Sequence, residues 1–261
     1  MMMTANGIEL HVEQQGAGAP ALVFLHYWGG SSRTWRHVVR RMAPDFRTVT
    51  VDQRGWGRSA ALASGYALAD MADDVQAVIQ ALDLERYILV GHSMGGKVSQ
   101  LIASRNPRGL IGLALVAPSP PSPLDLPLDV RQGMVRAYDR RESVIATMEQ
   151  VLAPNGLDRE DFEAVIADSL AGASAAKEAW PLVTSQEDIT AAVAKIDVPV
   201  LVLSGALDRV DPPEVLRQEL LPRIPQAQLF VLPGIGHLSP LEAPDEIAAR
   251  VRAFALTVTA D

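Results

Sequence analysis

A glycine-flanked serine carries the clearest sign of chemistry in this sequence, in the segment Gly91-His92-Ser93-Met94-Gly95. The pattern G-x-S-x-G is typical of a strained turn between a strand and a helix, which lifts the serine hydroxyl above a sheet. A serine hydroxyl is a weak nucleophile at neutral pH, so it needs a base to remove its proton and an acid to orient that base. The segment predicts Ser93 as a nucleophile for acyl transfer.

Five histidines could supply the base. We expect His11, in an edge strand, and His37, in an arginine-rich helix, to be solvated, while His92 lies inside the turn and His26 just follows an early strand. His237 differs because two glycines in Pro-Gly-Ile-Gly-His free its loop directly after the last predicted strand. Ligands of open α/β sheets bind at that carboxyl edge, so we predict His237 as the base.

Two carboxylates in one loop, Asp208 and Asp211, could orient His237. An aspartate before a first-turn proline, as in Asp211-Pro212-Pro213, is typical of a helix N-cap whose carboxylate accepts free N–H groups. We therefore assign Asp211 a structural role and predict Asp208 as the orienting acid.

Predicted strands and helices, which must position these residues, alternate along the chain. A helical pattern with apolar residues at Met71, Val75, Val78 and Leu82 separates two of the predicted strands, and similar spacing recurs elsewhere. Such alternation predicts an α/β fold with a mostly parallel, doubly wound sheet, to which segment 7–14 adds an antiparallel edge strand. The strands are predicted at 21–25, 47–51, 86–90, 111–116, 199–203 and 228–232.

The alternation stops after residue 116. Segment 117–127 is too rich in proline for a helix or a paired strand, and residues 129–185 have helical spacing throughout. We therefore predict a core domain of residues 1–116 and 186–261 and a helical cap insertion of residues 117–185.

The amino-acid composition limits the classes of molecule that the protein is expected to bind. The chain has 261 residues, 48% hydrophobic and 21% charged, which indicates a globular protein. Its net charge of −8 argues against nucleic acid, and the absence of cysteine argues against a disulfide framework or a cysteine-rich zinc site. Because no signal peptide or membrane-spanning segment is recognised, we expect a cytoplasmic protein that does not bind membranes.

With these motifs, the chain resembles the α/β-hydrolase superfamily, in the lidded group of small bacterial esterases, cofactor-free perhydrolases and lactonases. The stretch from Asp52 to Ser59 matches the D-x-R-G-x-G-x-S pattern of that family. There we expect Asp52 and Arg54 to hold loops. The resemblance implies an α/β-hydrolase fold without cofactor or metal and a triad of Ser93, Asp208 and His237, in the chain order usual for the fold.

The resemblance also implies an oxyanion hole, formed by the backbone N–H of Met94 and of Trp28 in His26-Tyr27-Trp28-Gly29. Tyr27 replaces the glycine that relatives usually have, and would be strained if that position required φ > 0. The substrate-binding residues predicted are Tyr27, Trp28, Phe162, Trp180 and Leu238.

Several chemistries compete on this fold. Ser93 disfavours the subgroups with an aspartate nucleophile, and Gly29 stands where perhydrolases usually have proline. We expect Lys97 to be a solvated charge rather than a lyase's lysine. We predict a serine hydrolase that cleaves small-molecule esters or lactones with small to medium apolar acyl groups, with a homo-oligomer left open. The alternatives are a perhydrolase or haloperoxidase-like activity and a non-enzymatic small-molecule receptor.

Overall fold

The predicted strands are present and belong to one eight-stranded sheet in the computed structural model, which describes residues 1–260. Their bounds agree with the predictions to within two residues, and those of the strand at 21–25 are identical. The strands are β1 (Met2–Ala5), β2 (Ile8–Gln15), β3 (Ala21–Leu25), β4 (Thr48–Val51), β5 (Tyr87–His92), β6 (Leu110–Val116), β7 (Val200–Gly205) and β8 (Ala227–Leu232).

The helices lie between the strands from β3 onward and after β8. In order they are α1 (Arg36–Met42), α2 (Leu68–Ala81), α3 (Met94–Ser104), α4 (Leu128–Val135), α5 (Arg141–Thr147), α6 (Arg159–Ala171), α7 (Ser174–Leu182), α8 (Thr190–Val193), α9 (Pro213–Glu219), α10 (Ser239–Glu242) and α11 (Pro244–Ala260). The carboxylate of Asp70 accepts the N–H of Ala67 at 3.0 Å, which fixes the start of α2.

The strand order in the sheet is β1-β2-β4-β3-β5-β6-β7-β8. The pairs from β4 through β8 are parallel, whereas β2 is antiparallel to both β1 and β4. The prediction of segment 7–14 as the edge strand was wrong, because β1 pairs outside it. Four residues at the N-terminus are too short a segment to show a clear period of two.

Alternate residues of the central strands supply two hydrophobic clusters, one on each face of the sheet. On β3, Val23 and Leu25 belong to the cluster with α2 and α3, while Leu22 and Phe24 belong to the cluster with α1 and α11. Burial on both faces explains why these strands are continuously apolar in the sequence. The catalytic candidates therefore extend from a rigid, doubly covered sheet.

Helices α4 to α7 lie between β6 and β7, in the part of the chain predicted to form the cap. The boundaries 117–185 stay a prediction. No helix within residues 1–260 has the length and apolarity needed to span a bilayer.

Candidate active site

Ser93 occupies the turn between β5 and α3 with φ 53° and ψ −116°, a conformation that non-glycine residues rarely adopt. The flanking glycines allow this turn. A Cβ atom at Gly91 would lie 2.5 Å from the carbonyl oxygen of Gly95, and one at Gly95 would lie 2.6 Å from the carbonyl oxygen of His26. The strand–turn–helix geometry predicted for the motif is therefore present, and Ser93 lines a cavity at the carboxyl edge of the sheet.

His237 and Asp208 meet at the same edge, after β8 and β7. Nδ1 of His237 lies 2.9 Å from Oδ2 of Asp208, and both side chains are buried. The other carboxylate oxygen of Asp208 accepts the N–H groups of Val210, at 2.8 Å, and Asp211, at 3.0 Å. Three donors thus fix the Asp208 carboxylate, which in turn fixes one nitrogen of the imidazole.

The environment of His237 changes its basicity. Burial lowers its pKa, but the charge and hydrogen bond of Asp208 outweigh burial, with smaller help from Asp211 and Glu242, so the pKa is raised above its ordinary value of 6.5. The imidazolium is therefore stabilised in a buried position. His237 lines the same cavity as Ser93, although no hydrogen bond joins their side chains among the described residues. Such catalytic hydrogen bonds are often long before substrate binds.

Asp211 does not cap a helix, so that prediction was wrong. Its Oδ2 accepts the hydroxyl of Ser119 at 3.0 Å, and α9 follows Pro212 without a side-chain cap. Burial raises the pKa of Asp211 to about 7. Because the N–H of Ser119 donates to the carbonyl of Ser93 at 3.2 Å, Asp211 supports the chain near the nucleophile instead.

Two other histidines hold the backbone of the site, a role that the sequence did not reveal. Nε2 of His92 donates to the carbonyl of His237 at 2.8 Å, and burial lowers the pKa of His92 well below its ordinary value. His26 accepts the N–H of Gln53 on Nε2 at 3.0 Å, and its pKa is also lowered by burial. Both rings are therefore neutral, and each joins two loops through its hydrogen bond.

Of the two residues predicted to form an oxyanion hole, Trp28 lies in the loop after β3 and Met94 is the first residue of α3. Gly95 packs against the carbonyl of His26, so the start of α3 lies beside the end of β3. The hydrogen bonds among residues 1–260 leave the N–H groups of Trp28 and Met94 unused. Gly29, with φ 99°, is the left-handed residue of the loop. Tyr27 has no positive φ, so the strain considered for it does not arise.

The insertion holds both loops of the site. The hydroxyl of Tyr138 donates to the carbonyl of Trp28 at 3.0 Å, and that of Ser169 donates to the carbonyl of Gly29 at 3.0 Å. On the other side, the N–H of His237 donates at 2.8 Å to the carbonyl of Leu152, which ends a π-helical turn. The acceptors are backbone atoms, which explains why no residue pattern predicted these contacts.

A cavity of about 550 Å³ lies between the insertion and the sheet edge. Three of the residues predicted to bind substrate, Tyr27, Trp28 and Trp180, line it. Phe162 and Leu238 do not: Phe162 packs against the hydrophobic cluster from α6, and Leu238 is buried just before α10. We therefore leave both residues out of the proposed substrate site.

Two expectations about basic side chains were wrong. The expectation that Lys97 is solvated was wrong: the side chain is buried, and Nζ donates to the carbonyls of Ser122, at 2.9 Å, and Ser185, at 3.3 Å. His11 was also predicted to be solvated, yet it is buried with Nδ1 3.0 Å from Asp52.

Asp52 and Arg54 hold loops, as predicted. Asp52 accepts the N–H groups of Ser32, at 2.6 Å, and Arg58, at 3.0 Å, while Arg54 makes two 2.6 Å bonds to the carboxylate of Asp74. Such bidentate pairing fixes the guanidinium in one orientation.

One group of side chains has the composition of a metal site. Potential ligand atoms of His37, Asp158 and Asp161 lie within 4.8 Å of one another. Asp161 is already bound to Arg36 at 2.6 Å and to His37 at 2.9 Å, and Asp158 accepts the N–H of Asp161 at 2.8 Å. These contacts show that the three side chains connect α1 to the beginning of α6, which explains why they lie together.

The chain matches the model of the alpha/beta hydrolase family over residues 22–250. It belongs to that family. It is similar to a pimeloyl-[acyl-carrier protein] methyl ester esterase from Pectobacterium carotovorum, with 31% identity covering 94% of this chain and 98% of the relative. It is 28% identical to the bifunctional esterase/perhydrolase DCH from Acinetobacter calcoaceticus, covering 96% and 97% of the two chains.

Solved structures agree with this fold. The structure of an esterase from Exiguobacterium antarcticum superposes with a TM-score of 0.89, at 23% identity over 97% of this chain and 98% of the other. The chain is thus an enzyme of the α/β-hydrolase class, in a group with small bacterial esterases.

Proposed function

We propose that this protein is a serine hydrolase that cleaves carboxylic esters or lactones of small to medium apolar acyl groups. The observation that carries the proposal is the pairing of His237 with Asp208 on the cavity that also exposes Ser93. Apolar side chains such as Met134, Val151 and Trp180 line most of the cavity, which favours apolar acyl groups. A lactone is a cyclic ester, so the same groups serve both substrates.

In the proposed reaction, Ser93 Oγ attacks the acyl carbon while His237 takes its proton. The negative charge that develops on the carbonyl oxygen is stabilised by the N–H groups of Trp28 and Met94. His237 then protonates the leaving alkoxide, the C–O bond breaks, and an acyl-enzyme remains on Ser93. A water molecule, deprotonated by His237, releases the carboxylic acid and restores the serine. Asp208 orients His237 and stabilises the imidazolium formed in each step.

Perhydrolysis is the second candidate, because one relative is a bifunctional esterase/perhydrolase. In that reaction hydrogen peroxide replaces water as the acyl acceptor. The loop after Trp28 argues against it as the main activity: Gly29 has φ 99°, whereas proline, usual at this position in perhydrolases, is restricted to about −65°. The two loops must therefore differ in shape.

The test compares Ser93→Ala with Ser104→Ala on p-nitrophenyl esters and lactones of increasing chain length, with hydrogen peroxide supplied in parallel. We expect Ser93→Ala to remove turnover almost completely, by a factor approaching 10⁶, because only the oxyanion hole and binding remain. Ser104 lies at the far end of α3 and donates to the carbonyl of Leu101, so its variant controls for the loss of a hydroxyl.

Retention of a tenth of the activity by Ser93→Ala would refute the nucleophile assignment. Binding of esters by the wild-type protein without turnover would favour a small-molecule receptor.

A further inference from the structure

The cavity has an unusual distribution of charge for so acidic a protein. The chain carries 31 acidic and 23 basic residues. Among residues 1–260, however, the side chains that line the cavity include two arginines, Arg136 and Arg209, and no aspartate or glutamate. Arg136 belongs to the insertion, directly after α4, and Arg209 follows Asp208 in the core loop. The insertion and the core loop thus each contribute one positively charged side chain to the cavity lining.

Neither arginine is neutralised by a carboxylate. The ion pairs among residues 1–260 do not include Arg136 or Arg209, and both residues are exposed. Arg209 donates to the carbonyl of Gln150 at 2.6 Å, which holds its side chain against the insertion. Two guanidinium groups that line one cavity without a carboxylate partner favour an anion there.

Apolar side chains line the same cavity as the two arginines. Leu124, Met134, Val151 and Val210 line the cavity together with Ser93 and His237. Leu126 and Val130 continue the lining and are themselves exposed to solvent. A ligand that places its ester at Ser93 would therefore share one cavity with apolar walls and with two cations.

We propose that the preferred substrates are esters or lactones whose end remote from the scissile bond carries an anionic group, a carboxylate or a phosphate, on an apolar chain. This inference rests on the proposed ester hydrolysis and specifies its substrate class. Arg136 and Arg209 act as specificity-determining residues that bind the remote anion, while Ser93 and His237 act on the ester.

The kinetic test uses p-nitrophenyl esters of equal chain length that end in a carboxylate, a phosphate or an uncharged methyl ester. The readout is the ratio of kcat/KM for each anionic ester to that for the neutral ester, measured in the wild type and in the double variant Arg136→Gln/Arg209→Gln. We expect the ratio to fall by about fivefold in the double variant at low ionic strength, since exposed ion pairs are individually weak. A higher salt concentration should also lower the ratio measured for the wild type, because salt screens exposed charges.

Arg140→Gln is the matched control, because Arg140 is an exposed arginine of the same insertion outside the cavity lining. We expect it to leave the ratio at the wild-type value. The carboxylate and phosphate arms show which anion is preferred, and a preference for either supports the proposal. An equal ratio in the wild type and the double variant would overturn it and would favour an acidic protein surface as the partner of these arginines.

Binding without turnover separates this inference from the proposed function. Calorimetric titration of the wild-type protein with linear dicarboxylates and with monocarboxylates of the same length requires no reaction. We expect tighter binding of the dicarboxylates, and loss of that difference in the double variant. If esters are hydrolysed while both acids bind equally, the anion site is refuted and the hydrolase stands; if dicarboxylates bind selectively but no ester is cleaved, the proposed function fails instead.

Discussion

At the residue scale, Asp208 and Asp211 are three positions apart in one loop, but their carboxylates have different partners. Asp208 is bonded to His237 and to two backbone N–H groups, whereas Asp211 accepts the hydroxyl of Ser119. Only Asp208 can therefore set the tautomer of the base.

We expect Asp208→Asn to lower kcat by up to about 10⁴-fold, because the amide cannot orient His237 as the carboxylate does. In Asp211→Asn the amide oxygen still accepts the hydroxyl of Ser119, so kcat should stay within about tenfold of the wild type. Both values are measured on p-nitrophenyl acetate, with far-ultraviolet circular dichroism to check folding. A collapse of kcat in Asp211→Asn alone would reverse the assignment.

At the scale of elements, α3 does more than position Ser93. One turn beyond Ser93, the buried Lys97 binds the carbonyls of Ser122 and Ser185, which lie near the beginning and the end of the predicted cap. Burial lowers the pKa of Lys97 from 10.5 to about 8, partly offset by the charges of Asp211, Glu187 and Asp188. The helix that begins directly after Ser93 thus also holds both connections to the insertion.

The pKa of Lys97 predicts a pH dependence of stability. Between about pH 8 and 10.5 the unfolded chain holds a proton that the folded protein has released, so the free energy of unfolding rises with pH in this window. Lys97→Met lacks this contribution. The free energy of unfolding of both proteins is measured by urea denaturation. Between about pH 7.5 and about pH 9.5, we expect the wild type to gain about 1 to 2 kcal/mol relative to Lys97→Met.

The other titrating groups are common to both proteins, so the pH dependence of the difference reports Lys97 together with its coupling to Asp211, Glu187 and Asp188. A constant difference over this range would mean that Lys97 keeps its ordinary pKa in the folded protein.

Much of the fold and of the site could be predicted because local patterns specify them. The G-x-S-x-G motif requires its turn geometry, and the apolar segments of β3, β5, β6 and β7 require burial on both faces. The contacts made by Tyr138 with Trp28 and by Leu152 with His237 join positions 85 or more residues apart through backbone carbonyls. Such carbonyls exist at every residue, so no residue type marks them. The prediction that Lys97 is solvated was wrong for a related reason, since the partners of its side chain are also backbone carbonyls.

At the scale of the whole molecule, the insertion and the sheet share one hydrophobic cluster. Val98 and Ile102 of α3 belong to the same cluster as Tyr138, Val144 and Trp180 of the insertion. The segment predicted as a cap is therefore energetically part of the same unit as the sheet, and we expect it to unfold together with the sheet.

This shared cluster predicts one cooperative transition in urea. Esterase activity, tryptophan fluorescence and far-ultraviolet circular dichroism should give the same midpoint. Val144→Ala, at a fully buried position of the insertion, should lower that midpoint for all three probes, at a cost of about 2 kcal/mol. Val183→Ala is the control, because Val183 belongs to the same insertion but is 63% exposed. Loss of activity at a lower urea concentration than loss of circular dichroism would contradict this prediction.

The bond from the N–H of His237 to the carbonyl of Leu152 limits how the insertion can be exchanged between proteins. Any side chain at position 152 brings the same main-chain oxygen, so substitutions there leave the bond intact. A deletion or duplication within the π-helical turn Met148–Leu152 would move that oxygen by a residue and release the loop of His237. Chimeras made with the cap of another hydrolase should therefore succeed or fail according to the length of this turn, even where the sequences have little in common.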